Sequence, residues 1–197
     1  MNLKWHKTIQ YTQKNQQKSF VAIVKNIMYN LLSGGIDMNN SYIATAVAIR
    51  DLNCYSLETI NDRILLQKKI YLAQDIGLPL GYGYSWYIHG PYSTDLTAVA
   101  YQIIPEGKTS IENNTLKEPY AKIIDRVNLL EDIIGEQNLK ISVVQWYELI
   151  ASIAYWYNCG YKTQQAATEK IHETKPQFTE DQIQAGYSAY VAFKTAA

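Results

Sequence analysis

The sequence has few of the residues from which disulfide frameworks and metal centres are built. It contains only two cysteines, Cys54 and Cys159, among 197 residues. They lie far apart and form neither a CxxC pair nor a Cys/His spacing typical of zinc sites. His172-Glu173 is not part of an HExxH motif. We therefore expect reduced thiols in a cytoplasmic protein, with no metal and no cofactor.

Long apolar runs and phosphate-binding loops are also absent from the sequence. No apolar run reaches the roughly 18 to 20 residues that span a bilayer, and the first residues lack the apolar segment of a secretory signal. Gly81-Tyr82-Gly83 lacks the third glycine of a dinucleotide-binding loop, and no GK[ST] sequence follows it. We expect neither a transmembrane segment, nor secretion, nor a nucleotide site.

Acidic residues are missing from the first 36 positions, which carry five lysines: Lys4, Lys7, Lys14, Lys18 and Lys25. Since the whole chain has 18 basic and 18 acidic residues, residues 37–197 carry 13 basic and 18 acidic ones, a net charge of −5. Binding to a phosphate backbone requires a clustered basic face. The acidic main body therefore disfavours a nucleic-acid-binding regulator, which we keep as an alternative.

Phenylalanine is scarce, with three residues, whereas tyrosine occurs 17 times. A tyrosine suits a half-buried position because its ring is apolar and its hydroxyl can reach water or a carbonyl. Many tyrosines therefore indicate either a binding surface or the rim of an ordinary core.

Helical periodicity dominates the pattern of apolar residues. It predicts helices over Phe20–Leu32, Ser41–Ile49, Arg63–Ile76, Thr94–Ile103, Tyr120–Ile134, Val143–Trp156 and Glu180–Phe193. Ser142 with Gln145 and Thr179 with Gln182 have the spacing of capping boxes. We predict a mainly α single-domain bundle of about six to seven helices. At most a small β-hairpin or extended segment is expected near residues 80–89.

Two segments carry a resemblance to a known family. Residues 66–72 read LQKKIYL, and residues 86–96 read WYIHGPYSTDL. This pattern resembles the uncharacterised YwgA-like proteins of bacteria and archaea and is distantly similar to the Panacea domain of antitoxins. The resemblance covers about residues 38–193. Its structural motif comprises Leu66, Gln67, Lys68 and Tyr71.

The resemblance implies a helical module that binds a partner protein, such as a toxin or a phage-defence component. We therefore predict a non-catalytic, antitoxin-like or defence-associated interaction module with a Tyr/Trp-rich surface. The predicted partner-binding residues are Trp86, Tyr87, His89, Gly90, Pro91, Tyr92 and Ser93. Gly90-Pro91 is expected to form a turn, and Ser93 to cap the next helix.

An enzyme that uses His89 as acid or base is the second alternative. A lone histidine is more often a structural hydrogen-bonding residue than a catalyst. A catalytic role would need a nucleophile or carboxylate nearby, for which Ser93, Asp95 and Glu148 are candidates. Lys68 and Lys69 with Arg63 form a small basic patch, which fits a solvated face or a nucleic-acid contact.

The basic residues 1–37 and the family-like residues 38–197 differ in character. Gly34-Gly35 lies just before Met38, and two glycine codons can read as a ribosome-binding site. We hypothesise that Met38 is the natural start and that the basic segment is not natively translated. Mass spectrometry of the endogenous protein tests this, because an intact Met1 end would exclude it. If present, Phe20–Leu32 would be a docking or membrane-surface helix.

Overall fold

The computed structural model describes residues 38–106, 113–137 and 139–195, and there the chain is mainly helical. Its elements are α1 (Met38–Asp51), α2 (Ile60–Asp75), β1 (Ser85–Tyr87), β2 (Gly90–Tyr92), α3 (Thr94–Glu106), α4 (Glu118–Leu129), α5 (Asp132–Gln137), α6 (Val143–Asn158), α7 (Gln164–Thr174) and α8 (Glu180–Thr195). The predicted fold class, a helical bundle with a small hairpin, is confirmed. The predicted helix Phe20–Leu32 and the basic segment 1–37 lie outside the described residues.

Helices α2 and α6 form the centre of the bundle. Residues 66–73 of α2 and 146–154 of α6 are buried without interruption, so neighbours cover these stretches on every side. Helix α6 contacts α2, α7, α8 and β2, while α2 also contacts α4 and β2. Both central helices therefore lie directly beneath the hairpin.

Two aromatic side chains with polar ends join α6 to the end of α4. Trp146 and Tyr147 are fully buried. The Trp146 indole donates a hydrogen bond of 2.7 Å to the carbonyl of Leu130, and the Tyr147 hydroxyl donates one of 2.7 Å to that of Val127. Helix-terminal carbonyls lack partners within their own helix. These bonds give the carbonyls of Val127 and Leu130 side-chain partners at the end of α4. The single helix predicted over Tyr120–Ile134 is divided there into α4 and α5.

The two strands form an antiparallel hairpin in which Tyr87 pairs with Gly90 and Ser85 with Tyr92. The connecting residues are therefore Ile88 and His89. The predicted turn at Gly90-Pro91 is wrong, because both residues belong to β2. The predicted cap is present, since the Leu96 amide donates to the Ser93 hydroxyl at 3.3 Å.

Hydroxyl caps fix the ends of several helices. The predicted boxes form at Ser142 with Gln145 and at Thr179 with Gln182, whose amides and side chains exchange hydrogen bonds. For α2 the cap is Thr59, with Asp62 completing the box; we expected the cap at Asn61-Asp62. None of the described helices is long and apolar enough to cross a bilayer.

Candidate functional site at the hairpin

The two halves of the sequence motif meet in space. The Gln67 side chain donates to the Ser93 carbonyl and accepts from the Ser93 amide, both at 2.9 Å. The Lys68 amine donates to the Pro91 carbonyl at 2.6 Å. Gln67 and Lys68 are almost completely buried. These bonds satisfy backbone groups of the hairpin and of the residue after it, so α2 holds β2 in a fixed position.

Gly90 lets the hairpin approach α6 closely. Its φ is +85°, and an added Cβ would lie 2.6 Å from the Ser152 hydroxyl oxygen. That hydroxyl is buried and donates to the Glu148 carbonyl at 2.7 Å. A residue with a side chain would be strained by both the backbone angle and the contact.

A charged cluster lies beneath the hairpin turn. The Glu148 carboxylate contacts the Lys175 amine at 2.5 Å through Oε1 and His89 Nδ1 at 3.0 Å through Oε2. The Lys175 amine also donates to the Ile88 carbonyl at 2.5 Å. The side chains of Glu148 and Lys175 are 7% and 2% exposed, whereas that of His89 is 44% exposed. We call Lys68, His89, Glu148 and Lys175 the charged cluster.

Lys68 is the least well compensated member of this cluster. Burial lowers the pKa of its ammonium from 10.5 to about 7; Glu148 opposes that shift and Lys175 adds to it. The two lysines share one nearby carboxylate, and that carboxylate is bonded to Lys175. The Lys68 amine therefore gains or loses its proton near neutral pH.

A pocket of about 220 Å³ opens beside the cluster. Leu57, Ile64, Leu66 and Ala100 contribute apolar lining, and Gln67, Lys68 and His89 contribute polar groups. Three further lining residues, Ile60, Tyr87 and Tyr101, are 56%, 61% and 52% exposed. Ile88, at the hairpin turn, is 71% exposed. We call these four exposed residues the hairpin surface.

Trp86 anchors the hairpin to α6. Its ring lies 5.4 Å from that of Tyr155 and 4.7 Å from that of Trp156. The Lys175 amine is 5.7 Å from the Trp86 ring centroid, within reach of a cation–π interaction. Trp86 is half-buried, and these contacts occupy much of it.

The residues predicted to contact a partner differ in exposure. Tyr87 and the His89 side chain are accessible, while Trp86 and Tyr92 are half-buried. The other three, Gly90, Pro91 and Ser93, are buried. These three buried residues hold the hairpin against the helices and do not form part of the exposed surface.

The predicted basic patch on α2 is wrong. Lys68 and Lys69 are only 1% and 3% exposed. Arg63 donates to the backbone carbonyls of Leu57 and Glu58. These contacts position the chain before α2, and the lysines do not form a solvated face.

His89 is paired with one of its three candidate partners. Glu148 contacts it, whereas Ser93 Oγ accepts from the Leu96 amide and Asp95 lies exposed in the first turn of α3. Since a carboxylate can only accept, His89 Nδ1 carries the hydrogen and Nε2 is left for another contact. The described residues show no hydroxyl or thiol bonded to His89.

Lys175 was not expected in the site. The sequence shows it only as the residue before Pro176 in a loop, 27 positions after Glu148. Helix α7, which the periodicity did not predict, carries the chain back so that Lys175 lies under the hairpin. A lysine in a loop gives no sign of burial, so sequence reasoning had no signal for it.

No family model, curated protein or solved structure matches this chain. Across the described ranges, no group of three or more His, Cys, Asp or Glu side chains is placed to hold a metal ion.

Proposed function

We propose that this chain is a protein-interaction module and that a partner protein docks on the hairpin surface. The observation that carries the proposal is a concentration of exposed apolar side chains. Of the eight large hydrophobic residues exposed in the described chain, Ile60, Tyr87 and Tyr101 line one pocket, and Ile88 follows Tyr87 in the hairpin. Scattered exposed hydrophobics are normal, but a contiguous group is typical of a binding site.

The rigidity of the support favours the same function. The hairpin is held by Gln67 and Lys68 from α2, by Lys175 and by the rings of α6. An anchor that is already ordered loses little conformational entropy when it binds. Tyr87 also packs against Tyr92, with ring centroids 5.7 Å apart. Exposed tyrosines on an ordered support are common binding hot spots.

The antitoxin-like or defence-associated role is the form of this proposal that the family resemblance suggests. Under it the partner is a toxin or another defence component, and binding blocks or recruits that protein. The interaction surface is independent of this choice and is tested first.

The experiment is affinity capture of the tagged full chain from cells that express it, followed by binding measurements with the purified partner. In one variant, Tyr87→Ala and Ile88→Ala are combined. We expect the dissociation constant of the partner to rise at least about tenfold, which corresponds to about 1.4 kcal/mol, because truncating a hot-spot aromatic costs about 2 kcal/mol or more. Both side chains are more than half exposed, so stability should change by no more than about 0.5 kcal/mol for each substitution.

A matched control carries Leu129→Ala with Val143→Ala, which also removes two exposed apolar side chains but lies outside the hairpin surface. Capture should be unchanged in this variant. The proposal fails if no protein is captured, or if both double variants bind the partner as tightly as the original chain.

The contact between His89 and Glu148 supports a second candidate, an enzyme in which His89 is the base. A carboxylate bonded to Nδ1 orients the ring and leaves Nε2 free to take a proton from a substrate. His89→Gln removes this chemistry with little change in volume. If it abolishes complementation of a gene deletion while stability and partner binding stay unchanged, His89 has a catalytic role that docking does not explain.

A further inference from the structure

The charged cluster contains an excess of buried positive charge. With both lysines protonated, Lys68 and Lys175 face the single carboxylate of Glu148. A buried charge without compensation is expensive, and the usual responses are deprotonation or the binding of a counter-ion. Deprotonation of Lys68, whose pKa burial lowers to about 7, is one such response. A bound anion would supply the missing compensation.

The pocket gives such an anion a place next to Lys68. Among its polar lining residues, Gln67 is engaged by Ser93 and Thr97, and Arg63 by two backbone carbonyls. Lys68 has one hydrogen-bond partner, the Pro91 carbonyl, although an ammonium has three donors. Lys68 is therefore an almost completely buried lining group with unused hydrogen-bonding capacity.

We propose that this pocket binds a small free carboxylic acid with a short apolar body, whose carboxylate pairs with Lys68. A single negative charge balances two lysines and one glutamate. The apolar walls suit a hydrocarbon body rather than a strongly hydrated dianion such as phosphate. The cavity of about 220 Å³ is smaller than the roughly 300 Å³ at which typical ligand pockets begin, so the body must be short. This ligand site goes beyond partner docking and does not depend on it.

Proton uptake is the signature of this mode of binding. The charged and titratable groups around Lys68 are Arg63, His89, Glu148, Lys175 and the pocket tyrosines at positions 87, 92 and 101. At pH 8 a lysine with a pKa of about 7 is mostly neutral. A bound carboxylate favours the protonated form, so about 0.9 proton should enter on binding at pH 8 and about 0.1 at pH 6.

Calorimetric titration of the full chain in two buffers of different ionisation enthalpy measures this uptake. The probes are hexanoate and phenylpropionate, with hexanol and phenylpropanol as neutral analogues of the same shape. We expect each acid to bind at least about tenfold more tightly than its alcohol, because a charge-assisted hydrogen bond in a poorly solvated site is strong. Proton uptake should accompany the acids alone.

Three variants locate the effect. Lys68→Met keeps the length of the side chain and should abolish both the acid preference and the proton uptake. Lys69→Met removes the neighbouring buried lysine, which does not line the pocket, and should leave both intact. His89→Gln should retain the uptake, which separates Lys68 from the histidine.

Several outcomes would overturn the proposal. These are no binding of either acid, equal binding of acid and alcohol, or an acid preference that persists in Lys68→Met. If Lys68→Met does not fold, the acid preference and proton uptake of the original chain still decide the matter. If the original chain captures no protein but still binds the acids, docking is refuted and this inference stands.

Discussion

Lys68 and Lys69 are neighbours in sequence and almost equally buried, yet they lie in different surroundings. Lys69 contacts the Glu131 carboxylate at 2.6 Å and the Leu52 carbonyl at 3.2 Å, and its amine lies 4.9 Å from the Tyr147 ring centroid. Lys68 contacts the Pro91 carbonyl and shares the field of Glu148 with Lys175. One lysine has its own counter-ion, and the other does not.

This difference separates a structural ion pair from a candidate binding site. The Lys69–Glu131 pair joins α2 to the turn between α4 and α5, and in it one positive charge faces one negative charge. In the charged cluster two lysines share one carboxylate, so its charge is not balanced, and the cluster lies next to an open pocket. Burial of a charge is therefore weak grounds for assigning a function. A buried charge that lacks compensation and borders a cavity is stronger grounds.

The largest expected effect comes from removing the counter-ion in each region. Glu148→Gln leaves Lys175, which is 2% exposed, without its carboxylate, and should lower the free energy of unfolding by about 3 to 5 kcal/mol. Glu131→Gln should cost less, about 1 to 2 kcal/mol, because the Glu131 side chain is 39% exposed and its pair with Lys69 is partly solvated. Urea unfolding of both variants measures the two losses. Equal losses would remove the distinction between the regions.

The next effect tests how closely the hairpin must lie on the cluster. Gly90→Ala places an alanine at a positive φ and brings its Cβ against Ser152. We therefore expect the free energy of unfolding to fall by about 2 to 4 kcal/mol. Gly81→Ala is the matched control, since Gly81 has φ of +81° and nothing within 4 Å of an added Cβ. For Gly81→Ala the free energy of unfolding should fall by about 1 kcal/mol. A similar loss in both variants would show that the close approach to α6 contributes nothing.

The smallest expected effect is the pH dependence of stability that Lys68 causes. Its pKa is about 7 in the folded protein and 10.5 in the unfolded chain, so above pH 7 the unfolded chain binds more protons. Stability then rises with pH through this window. Between pH 7 and 8.5 the rise should be about 1 to 2 kcal/mol, at up to about 1.4 kcal/mol for each pH unit.

The comparison variants are Lys68→Met and Lys69→Met. In Lys68→Met the free energy of unfolding should no longer rise between pH 7 and 8.5, whereas in Lys69→Met it should still rise. The measurement stops at pH 8.5 because burial raises the pKa of Cys54 from 9.0 to about 12, and ionisation of that thiol in the unfolded chain opposes the rise at higher pH. A rise that persists in Lys68→Met would assign it to another residue.

Local signals explain which parts of the fold could be predicted. The helices with strong periodicity and the hydroxyl caps at Ser93, Ser142 and Thr179 were found, because each depends on residues within one or two turns. Helix α7 was missed because its sequence, QQAATEKIHET, has few apolar residues and only Ala167 and Ile171 are buried. The hairpin turn was misplaced because Gly90-Pro91 has turn chemistry but occupies a strand.

The sequence alone was enough to predict a helical bundle with at most a small hairpin or extended segment near residues 80–89. Periodicity and capping act over a few residues and can be read from neighbours in the chain. That Lys68 is buried and that Lys175 contacts Glu148, 27 residues before it, follows only from the three-dimensional packing. The packing also decided that His89 faces Glu148 and that a pocket opens beside them. Burial and charge pairing depend on which helices surround a side chain, and residue type alone does not specify those neighbours.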